Sequence, residues 1–348
     1  MSRVKLGDVA REHKETVKGD KSNYPIVGLE HLIPENIRLT QWDLNKENTF
    51  TKIFRKGCVL FGRRRAYLKK AVYADFDGIC SGDITVIEAI PEKILPELLP
   101  FVIQNDDLFD YAVGKSAGSL SPRVKWEHLK NYEFELPDIE RQHELAKMLW
   151  SIVETKESYE RLMAATDELV KSQFIELISS EIREVRLGDI ICYKAKSKIQ
   201  ARDGKLKGKY PLFNSSDEQT LWIDNYLYDN ETIFLPTGGK AAINYYKGKC
   251  SATTDNICFS GNEEYLTRYI YLSLWRDLDV LQKGFKGSGL QHISKEYVED
   301  IRIKAPNMET QDRIIEIANQ SDKSKFELEN CIKNAVSMYK KILKEYLG

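Results

Sequence analysis

Leu136-Pro-Asp-Ile-Glu-Arg-Gln142 is a stretch that the chain repeats, in the same pattern, as Ala305-Pro-Asn-Met-Glu-Thr-Gln311. Each copy places a proline before Asp or Asn, residues that commonly cap the start of a helix. The dipeptide Gly118-Ser119 precedes the first copy, and Gly287-Ser288 precedes the second at the same separation of 169 residues. The pattern predicts two copies of one unit, each ending in a helix.

The amino-terminal edge of the unit is repeated as well. Val4-Lys-Leu-Gly-Asp8 returns as Val185-Arg-Leu-Gly-Asp189, so the copies differ mainly by insertions before the helix. A repeat of this length is too long for a solenoid and indicates a duplicated domain with its connector. We predict a first globular domain over 1–136, a first helix over 137–182, a second domain over 183–305 and a second helix over 306–348.

Composition excludes several classes of protein. The chain has 348 residues, of which 30% are charged, and a formal net charge of −1. No apolar run approaches the about 18 residues of a membrane-spanning helix, and the amino terminus lacks the apolar stretch of a signal peptide. The six cysteines form no Cys-x-x-Cys pair, which favours buried thiols over a metal site. We expect a cytoplasmic protein without a membrane segment or a metal.

Each predicted helix carries an apolar row with alternating steps of three and four residues, the spacing of a coiled-coil seam. The two rows include Leu149, Ile152, Lys156, Tyr159, Met163 and Val170 in the first helix, and Leu328, Ile332, Tyr339 and Ile342 in the second. Lys156 and its counterpart Lys325 interrupt both rows at the same place, where a polar residue can fix the register. We predict an antiparallel coiled coil. The alternative is that each helix packs on its own globular domain.

Short apolar runs bounded by Gly or Pro predict strands within each domain. The runs cover 25–28, 58–62 and 84–87 in the first domain, and 210–213, 232–236 and 256–259 in the second. Helical patterns lie around 95–113 and 263–282. The predicted fold class is mixed α/β (α+β), with two duplicated globular domains joined by two long helices. The order of the strands does not follow from the sequence.

Positive charge is concentrated in the globular domains. Residues 51–70 contain eight basic residues and no acidic one, and residues 191–210 contain seven basic residues and one acidic. The first helix, over 138–183, has instead ten acidic and six basic residues. Basic patches beside tyrosine and glutamine suit contact with DNA phosphates and base edges. The alternative is a solvated basic surface, but the presence of a patch in both copies favours nucleic acid.

Basic loops rich in glycine follow the predicted strands and helices. Glycine lets backbone amides approach an anion closely, and an adjacent Lys or Arg supplies charge. Ordinary turn chemistry is the alternative for these loops. The side chains that we expect to contact DNA are Arg63, Arg64, Arg65, Lys69, Lys115, Ser119, Lys240, Asn244, Lys286, Ser288 and Gln291.

Catalytic motifs are missing from the sequence. It has no dinucleotide-binding GxGxxG after a strand, no P-loop and no metal spacing among its five histidines. The Asn-Pro-Pro-aromatic motif that an amino-methyltransferase is expected to carry is also missing. We therefore expect neither catalytic residues nor a cofactor in this chain.

The ordered motifs resemble those of the DNA-specificity (S) subunits of type I restriction-modification enzymes. Val-x-Leu-Gly-Asp opens each half, Gly-Ser follows, and Pro-x4-Gln stands at the head of each long helix, over the full length of the chain. Arg141 and Thr310 depart from the family, which usually has a glutamate before the helix glutamine. This departure bears on the subtype and on the partners that fit.

The resemblance implies that each globular domain is a target recognition domain for one half of a bipartite site in double-stranded DNA. It implies that the helices form a spacer clasped by two methylating (M) subunits, which would hold S-adenosylmethionine (AdoMet). Motor-nuclease (R) subunits could join the complex. The competing interpretation is a non-catalytic interaction scaffold with two adaptor domains on a coiled coil. A self-contained nuclease or methyltransferase is the third.

Overall fold

The computed structural model describes residues 2–118, 120–216, 219–287, 289 and 291–348. The chain separates into two compact units. Unit 1 comprises residues 1–161 and 328–348, and unit 2 comprises residues 162–327. Each unit therefore contains a globular domain and parts of both long helices. Among the described residues, no helix is both long and apolar enough to cross a membrane.

Unit 1 is a mixed α/β domain. Its elements in chain order are β1 (Ser2–Lys5), α1 (Leu6–Val9), β2 (Ala10–Glu12), β3 (Ile26–Val27), β4 (Lys52–Phe54), β5 (Val59–Gly62), β6 (Ala71–Tyr73), β7 (Gly78–Cys80), β8 (Ile84–Ala89), α2 (Leu99–Ile103), α3 (Asp106–Gly114), α4 (Trp126–Leu129), β9 (Glu133–Leu136) and the first part of α5 (Ile139–Ile178). Strands β2, β8, β5 and β6 form an antiparallel sheet in that order. A second sheet has the order β3-β7-β4, and β1 pairs with β9.

Unit 2 repeats this plan. Its elements after α5 are β10 (Glu184–Arg186), α6 (Leu187–Ile190), β11 (Ile191–Tyr193), β12 (Tyr210–Phe213), β13 (Leu221–Ile223), β14 (Thr232–Pro236), β15 (Asn244–Tyr246), β16 (Ser251–Ala252), β17 (Asn256–Gly261), α7 (Thr267–Trp275), α8 (Leu278–Gln282), α9 (Lys295–Asp300), β18 (Arg302–Lys304) and α10 (Met308–Leu347). The main sheet has the order β11-β17-β14-β15, and β10 pairs with β18. The small sheets differ, because β12 is central in unit 2 whereas β7 is central in unit 1. The duplicated mixed α/β fold is confirmed.

The predicted strands overlap observed strands in every case, and those over 210–213 and 232–236 have the predicted bounds. The two stretches predicted as helical are each divided. α2 ends at Ile103 and α3 begins at Asp106, because Oδ1 of Asn105 accepts the backbone N–H of Asp107 (3.1 Å) and caps a new helix. α7 and α8 in unit 2 are also separate helices, although Asp277 before α8 makes no side-chain cap bond.

A close backbone approach explains the repeated Leu-Gly-Asp motif. A Cβ atom on Gly7 would lie 2.9 Å from Cβ of Lys130, and one on Gly188 would lie 2.8 Å from Cβ of Glu299. Both distances are shorter than side chains tolerate, so only glycine lets this turn pack on the segment before the last strand. The leucine before each glycine is fully buried, which anchors the turn to the core.

One buried glutamine holds the head of each long helix. The backbone N–H of Leu95 donates to Oε1 of Gln142 (2.8 Å), and Nε2 of Gln142 donates to the carbonyl of Pro137 (2.9 Å). Gln311 makes the equivalent two bonds at the head of α10, at 3.0 and 3.1 Å. In each glutamine, both the oxygen and the nitrogen of the side-chain amide are hydrogen-bonded. The repeated Pro-x4-Gln pattern therefore fastens each helix to its own domain.

The two helices lie side by side in unit 1. Nη2 of Arg141, near the start of α5, donates to Oη of Tyr346, near the end of α10 (3.1 Å). Further along, Ile152 of α5 and Ala335 of α10 line one groove. Residue numbers therefore rise along one helix as they fall along the other, and the pairing is antiparallel as predicted.

The alternative that each helix packs on its own domain also holds in part. Leu149 of α5 belongs to the same apolar core as Phe101 of the first domain. In unit 2 the end of α5 and the start of α10 pair in the same antiparallel sense, with an ion pair between Asp167 and Lys325. The helices therefore pack on each other and on globular domains.

The ends of the two helices occupy equivalent places. Val170, Phe174 and Ile178 at the end of α5 pack in the core of unit 2. Their counterparts 169 residues later, Tyr339, Leu343 and Leu347 at the end of α10, pack in the core of unit 1. The core of each unit thus uses the carboxyl-terminal helix end that belongs, in sequence, to the other repeat.

The predicted seam positions lie on the inner face of the helices. Leu149 and Val170 are buried, and the half-buried positions are Ile152, Lys156, Tyr159, Met163, Leu328, Ile332, Tyr339 and Ile342. The two lysines differ in their contacts. Nζ of Lys156 binds Oε1 of Glu160 on its own helix (2.8 Å), whereas Lys325 pairs with Asp167 on the other helix.

Replacing Gln142 with Ala should destabilise the protein by about 1–3 kcal/mol, because the partly buried N–H of Leu95 would lose its acceptor and the carbonyl of Pro137 its buried donor. Gln311→Ala should cost a similar amount, and Gln320→Ala is the matched control because Gln320 is exposed on α10. Denaturant unfolding of the three variants measures the difference. Equal stability of Gln142→Ala and Gln320→Ala would contradict the role given to the buried amide.

Candidate nucleic-acid interface

Three segments of unit 1 meet at one surface. The loop after β5 and the loop after α3 both pair with the segment that contains Arg123. The N–H of Ala117 donates to the carbonyl of Arg123 (3.0 Å), and the N–H of Arg123 donates back (2.9 Å). The N–H of Arg65 donates to the carbonyl of Pro122 (2.8 Å). Two loops predicted separately from the sequence thus form one surface, which we call the unit 1 loop surface (residues 63–70, 115–118 and 121–124).

A single carboxylate lies among the arginines of this surface. Nε and Nη2 of Arg123 donate to the two carboxylate oxygens of Asp83 at 2.7 and 3.2 Å. Nε of Arg63 and Nη1 of Arg64 approach the same carboxylate at 3.9 and 3.8 Å. The hydrogen bond from Arg123, assisted by the charges of Arg63 and Arg64, holds the pKa of Asp83 below its ordinary value. Asp83 therefore orients the guanidinium of Arg123 and lies within ion-pair distance of Arg63 and Arg64, while Nε of Arg64 donates to Oγ of Ser121.

The other predicted residues of unit 1 differ in availability. Arg65 is exposed and has a left-handed backbone conformation (φ 55°), beside Tyr67, whose surface is 54% exposed. Lys115 is exposed, with Nζ 5.6 Å from the ring centroid of Tyr111.

Two of the residues predicted to contact DNA, Lys69 and Ser119, cannot be assigned as available contacts. Nζ of Lys69 forms an ion pair with Asp106 at the start of α3, so it is already engaged within the protein. Ser119 lies outside the described residues.

Unit 2 builds the equivalent surface with different side chains. The loop after β14 and the loop after α8 both pair with the segment containing His292. The N–H of Lys286 donates to the carbonyl of His292 (2.9 Å), and the N–H of Gly239 donates to the carbonyl of Gln291 (3.1 Å). Nδ1 of His292 lies 3.1 Å from the carbonyl of Thr237. We call residues 237–240, 286–287 and 291–293 the unit 2 loop surface.

The predicted residues of unit 2 lie on or beside this surface. The side chains of Lys240, Lys286 and Gln291 are exposed. Nδ2 of Asn244 donates to the carbonyl of Ser216 (3.1 Å), so part of its amide is already engaged. Ser288 lies outside the described residues.

A carboxylate also lies behind the unit 2 loop surface. The N–H of Thr237 donates to the carbonyl of Asp255 (2.8 Å), as the N–H of Arg63 donates to that of Asp83 (3.0 Å). The Asp255 side chain accepts hydrogen bonds from Ser215 and Thr253. Burial works to raise the pKa of Asp255, but these hydrogen bonds outweigh it and leave the pKa below its ordinary value. Hydroxyls thus hold this carboxylate where arginines hold its counterpart.

The residues that join the loops were not predicted from the sequence. Arg123 and His292 bring two segments together in each unit, and neither was among the predicted contacts. Their separation of 169 residues could have revealed them, because it matches the repeat. Asp83 and Asp255 were also missed, since an acidic residue in a basic surface becomes meaningful only when its neighbours are known.

Two groups of potential metal ligands occur among the described residues, and hydrogen bonds already engage the histidine of each. In the first, both ring nitrogens of His13 are engaged, by Glu88 (2.9 Å) and Glu15 (3.2 Å), and burial raises the pKa of the Cys58 thiol to about 11. In the second, Nδ1 of His31 accepts the backbone N–H of Gly28 (2.9 Å). The donor atoms therefore fit a structural role better than a metal.

The sequence profile described as type I restriction modification DNA specificity domain matches residues 1–164 and again residues 179–338. The chain belongs to this family. The family resemblance predicted from the repeated motifs is confirmed.

One curated relative has a matching description. The chain is 28% identical over 150 residues to the type I restriction enzyme MjaVIII specificity subunit of Methanocaldococcus jannaschii, a match that covers 40% of this chain and 35% of the relative. The chain thus spans about a third of the length of that curated relative.

Two solved structures share the fold over nearly the whole chain. The crystal structure of the type I restriction-modification system S subunit from M. genitalium has a TM-score of 0.57 and 15% identity, covering 98% of this chain and 95% of that one. A structure solved to explain complex assembly and conformational transition of the type I R-M system has a TM-score of 0.54 and 18% identity, covering 99% of this chain and 97% of that one.

Thiol labelling tests the burial that argues against a cysteine metal site. Cys192 and Cys331 are exposed, whereas burial raises the pKa of Cys58 and Cys258 to about 11 and that of Cys80 and Cys250 to about 12. At pH 8 the folded protein should therefore label rapidly at two thiols and slowly at four, because the thiolate is the reactive form. Mass spectrometry of maleimide-treated protein counts them. Rapid labelling of Cys58 would mean that its site is open.

Proposed function

We propose that this chain reads a bipartite site in double-stranded DNA and directs methylation of that site by partner subunits. The main support for this proposal is that the same three-segment surface occurs once in each unit. In both units it is rich in basic side chains and loop amides. A protein that contacts DNA twice through equivalent surfaces is suited to two half-sites. Family membership supports this proposal, and the domain boundaries predicted from the sequence are part of it.

The two surfaces offer the chemistry that base reading needs. A guanidinium can donate two hydrogen bonds to guanine O6 and N7, and an amide side chain can bind adenine in the same way. Arg63, Arg64 and Arg65 would supply the first kind of contact and Gln291 the second. Lysines such as Lys115, Lys240 and Lys286 suit phosphates, which give affinity and orientation rather than sequence preference.

The long helices would serve as the spacer and as the docking surface for partners. Each has 40 residues, or about 60 Å at 1.5 Å per residue. Large apolar side chains are exposed along them, at Ile139, Met148, Leu162, Leu169, Ile175, Met308, Phe326 and Met338. These apolar side chains are available for contact with the apolar surface of a partner.

The partners follow from the family resemblance. Two methylating (M) subunits would dock on the helices and hold AdoMet, so that this chain needs no cofactor of its own. Motor-nuclease (R) subunits would join that assembly in the cytoplasm. Sequencing the methylated sites of a host with and without this gene tests the proposal, and unchanged methylation would refute it.

Arginine and lysine substitutions should have different effects on DNA binding. Replacing Arg63, Arg64 and Arg65 with Ala should weaken binding to the target by about 1–3 kcal/mol for each lost bidentate contact and reduce sequence preference. Replacing the exposed residues Lys205, Lys207 and Lys209 with Ala is the charge-matched control. It should weaken binding to target and random duplexes alike. Fluorescence anisotropy measures both, and identical effects of the two sets would contradict the assignment.

A fragment of residues 1–180 should form a dimer. It lacks Tyr339, Leu343 and Leu347, but it carries their counterparts Val170, Phe174 and Ile178, which can fill the same place in a second copy. Such a dimer is symmetric, so the methylated site should become a palindrome of one half-site. Light scattering gives the mass, and co-expression with the M subunit followed by methylation sequencing gives the site. A monomer, or methylation at the original asymmetric site, would contradict interchangeable halves.

A further inference from the structure

Asp83 has an unusual position for an acidic residue in a DNA-binding surface. Its side chain is 19% exposed and is surrounded by the guanidiniums of Arg63, Arg64 and Arg123, which are 33%, 41% and 45% exposed. Each arginine therefore has donors left for a ligand while it faces one shared carboxylate. The group carries three positive charges and one negative charge, so the carboxylate lowers the attraction of this surface for phosphate.

The carboxylate also restricts the conformations of the neighbouring arginine side chain. An arginine side chain has many rotamers, and fixing one of them on binding costs entropy. Asp83 holds Arg123 by two hydrogen bonds of 2.7 and 3.2 Å, and the backbone of Arg63 is tied to it by the 3.0 Å bond to the Asp83 carbonyl. A bidentate contact with a base requires a defined guanidinium plane, whereas a phosphate accepts many orientations.

Unit 2 provides an internal comparison. Asp255 holds the equivalent backbone position, but its side chain is bound by the hydroxyls of Ser215 and Thr253. The residues equivalent to Arg64 and Arg123 are Gly238 and His292. The same acidic position therefore hydrogen-bonds an arginine and faces two more in unit 1 only.

We propose that Asp83 is a positioning residue that sets base preference at the half-site read by unit 1, by fixing the arginines and reducing their attraction for phosphate. This inference rests on the proposed function. Removing the negative charge should increase affinity for DNA of any sequence and decrease discrimination at one half-site. The two effects have opposite directions, which a general loss of structure cannot produce.

The experiment compares Asp83→Asn with Asp255→Asn in the full-length chain. Each protein is used to select from a library of randomised DNA duplexes, and binding to one random duplex is measured against salt concentration. Asp83→Asn should bind the random duplex about two- to fivefold more tightly, with a salt slope steeper by about one phosphate contact. Its base preference at one half-site should fall about fivefold or more. Asp255→Asn should retain the wild-type preference at that half-site.

A second variant keeps the proposal testable if Asp83→Asn does not fold. Arg123→Gln removes the strongest partner of Asp83, so it should lose preference at the same half-site while binding random DNA more weakly. Thermal unfolding verifies that each variant is folded. If Asp83→Asn misfolds, an unchanged half-site preference in Arg123→Gln overturns the proposal.

The failure of this inference is distinct from failure of the proposed function. If the wild-type chain enriches no sequence, the proposed function itself fails. If wild type enriches a bipartite site and Asp83→Asn enriches it with equal preference, only the role of Asp83 is overturned. A parallel loss of affinity for target and random DNA would also overturn it.

Discussion

Burial of the helix ends is the constraint on which the rest of this structure depends. Val170, Phe174 and Ile178 cannot remain in water at the end of one helix, and they complete the core of unit 2. Leu343 and Leu347 do the same for unit 1 at the end of the other helix. Neither globular domain has a complete core without a helix end from the other repeat. Each globular domain therefore folds together with parts of both helices. The buried glutamines hold the first turn of each helix.

The loop surfaces are the second consequence of the duplicated fold. In each unit, the segment before the last short helix pairs with two loops that are distant in sequence and fixes their backbones. The backbone frame is common to both units, while the side chains on it differ, with arginines around Asp83 and hydroxyls around Asp255. One frame with different side chains is a physical basis for the proposal that the two units read different half-sites.

Much of the architecture could be predicted, because the patterns that carry it are local. Proline followed by Asp138 or Asn307 marks where each helix starts, and the glycine of Leu-Gly-Asp marks a turn that excludes a Cβ atom. The breaks between α2 and α3 and between α7 and α8 were not predicted. A single cap such as Asn105 is a weak signal inside an otherwise helical apolar pattern.

The sequence by itself determined the duplication, the mixed α/β class, the two long helices and the family, because repeats, caps and apolar periodicity are properties of neighbouring residues. Only the tertiary structure decided which charged side chains are available to contact a ligand. It assigned Lys69 to an ion pair with Asp106, placed Asp83 among three arginines, and brought Arg123 and His292 into the site. The physical reason is that charge–charge and hydrogen-bond partners are set by distance in space, and residues tens of positions apart become neighbours only when the chain has folded.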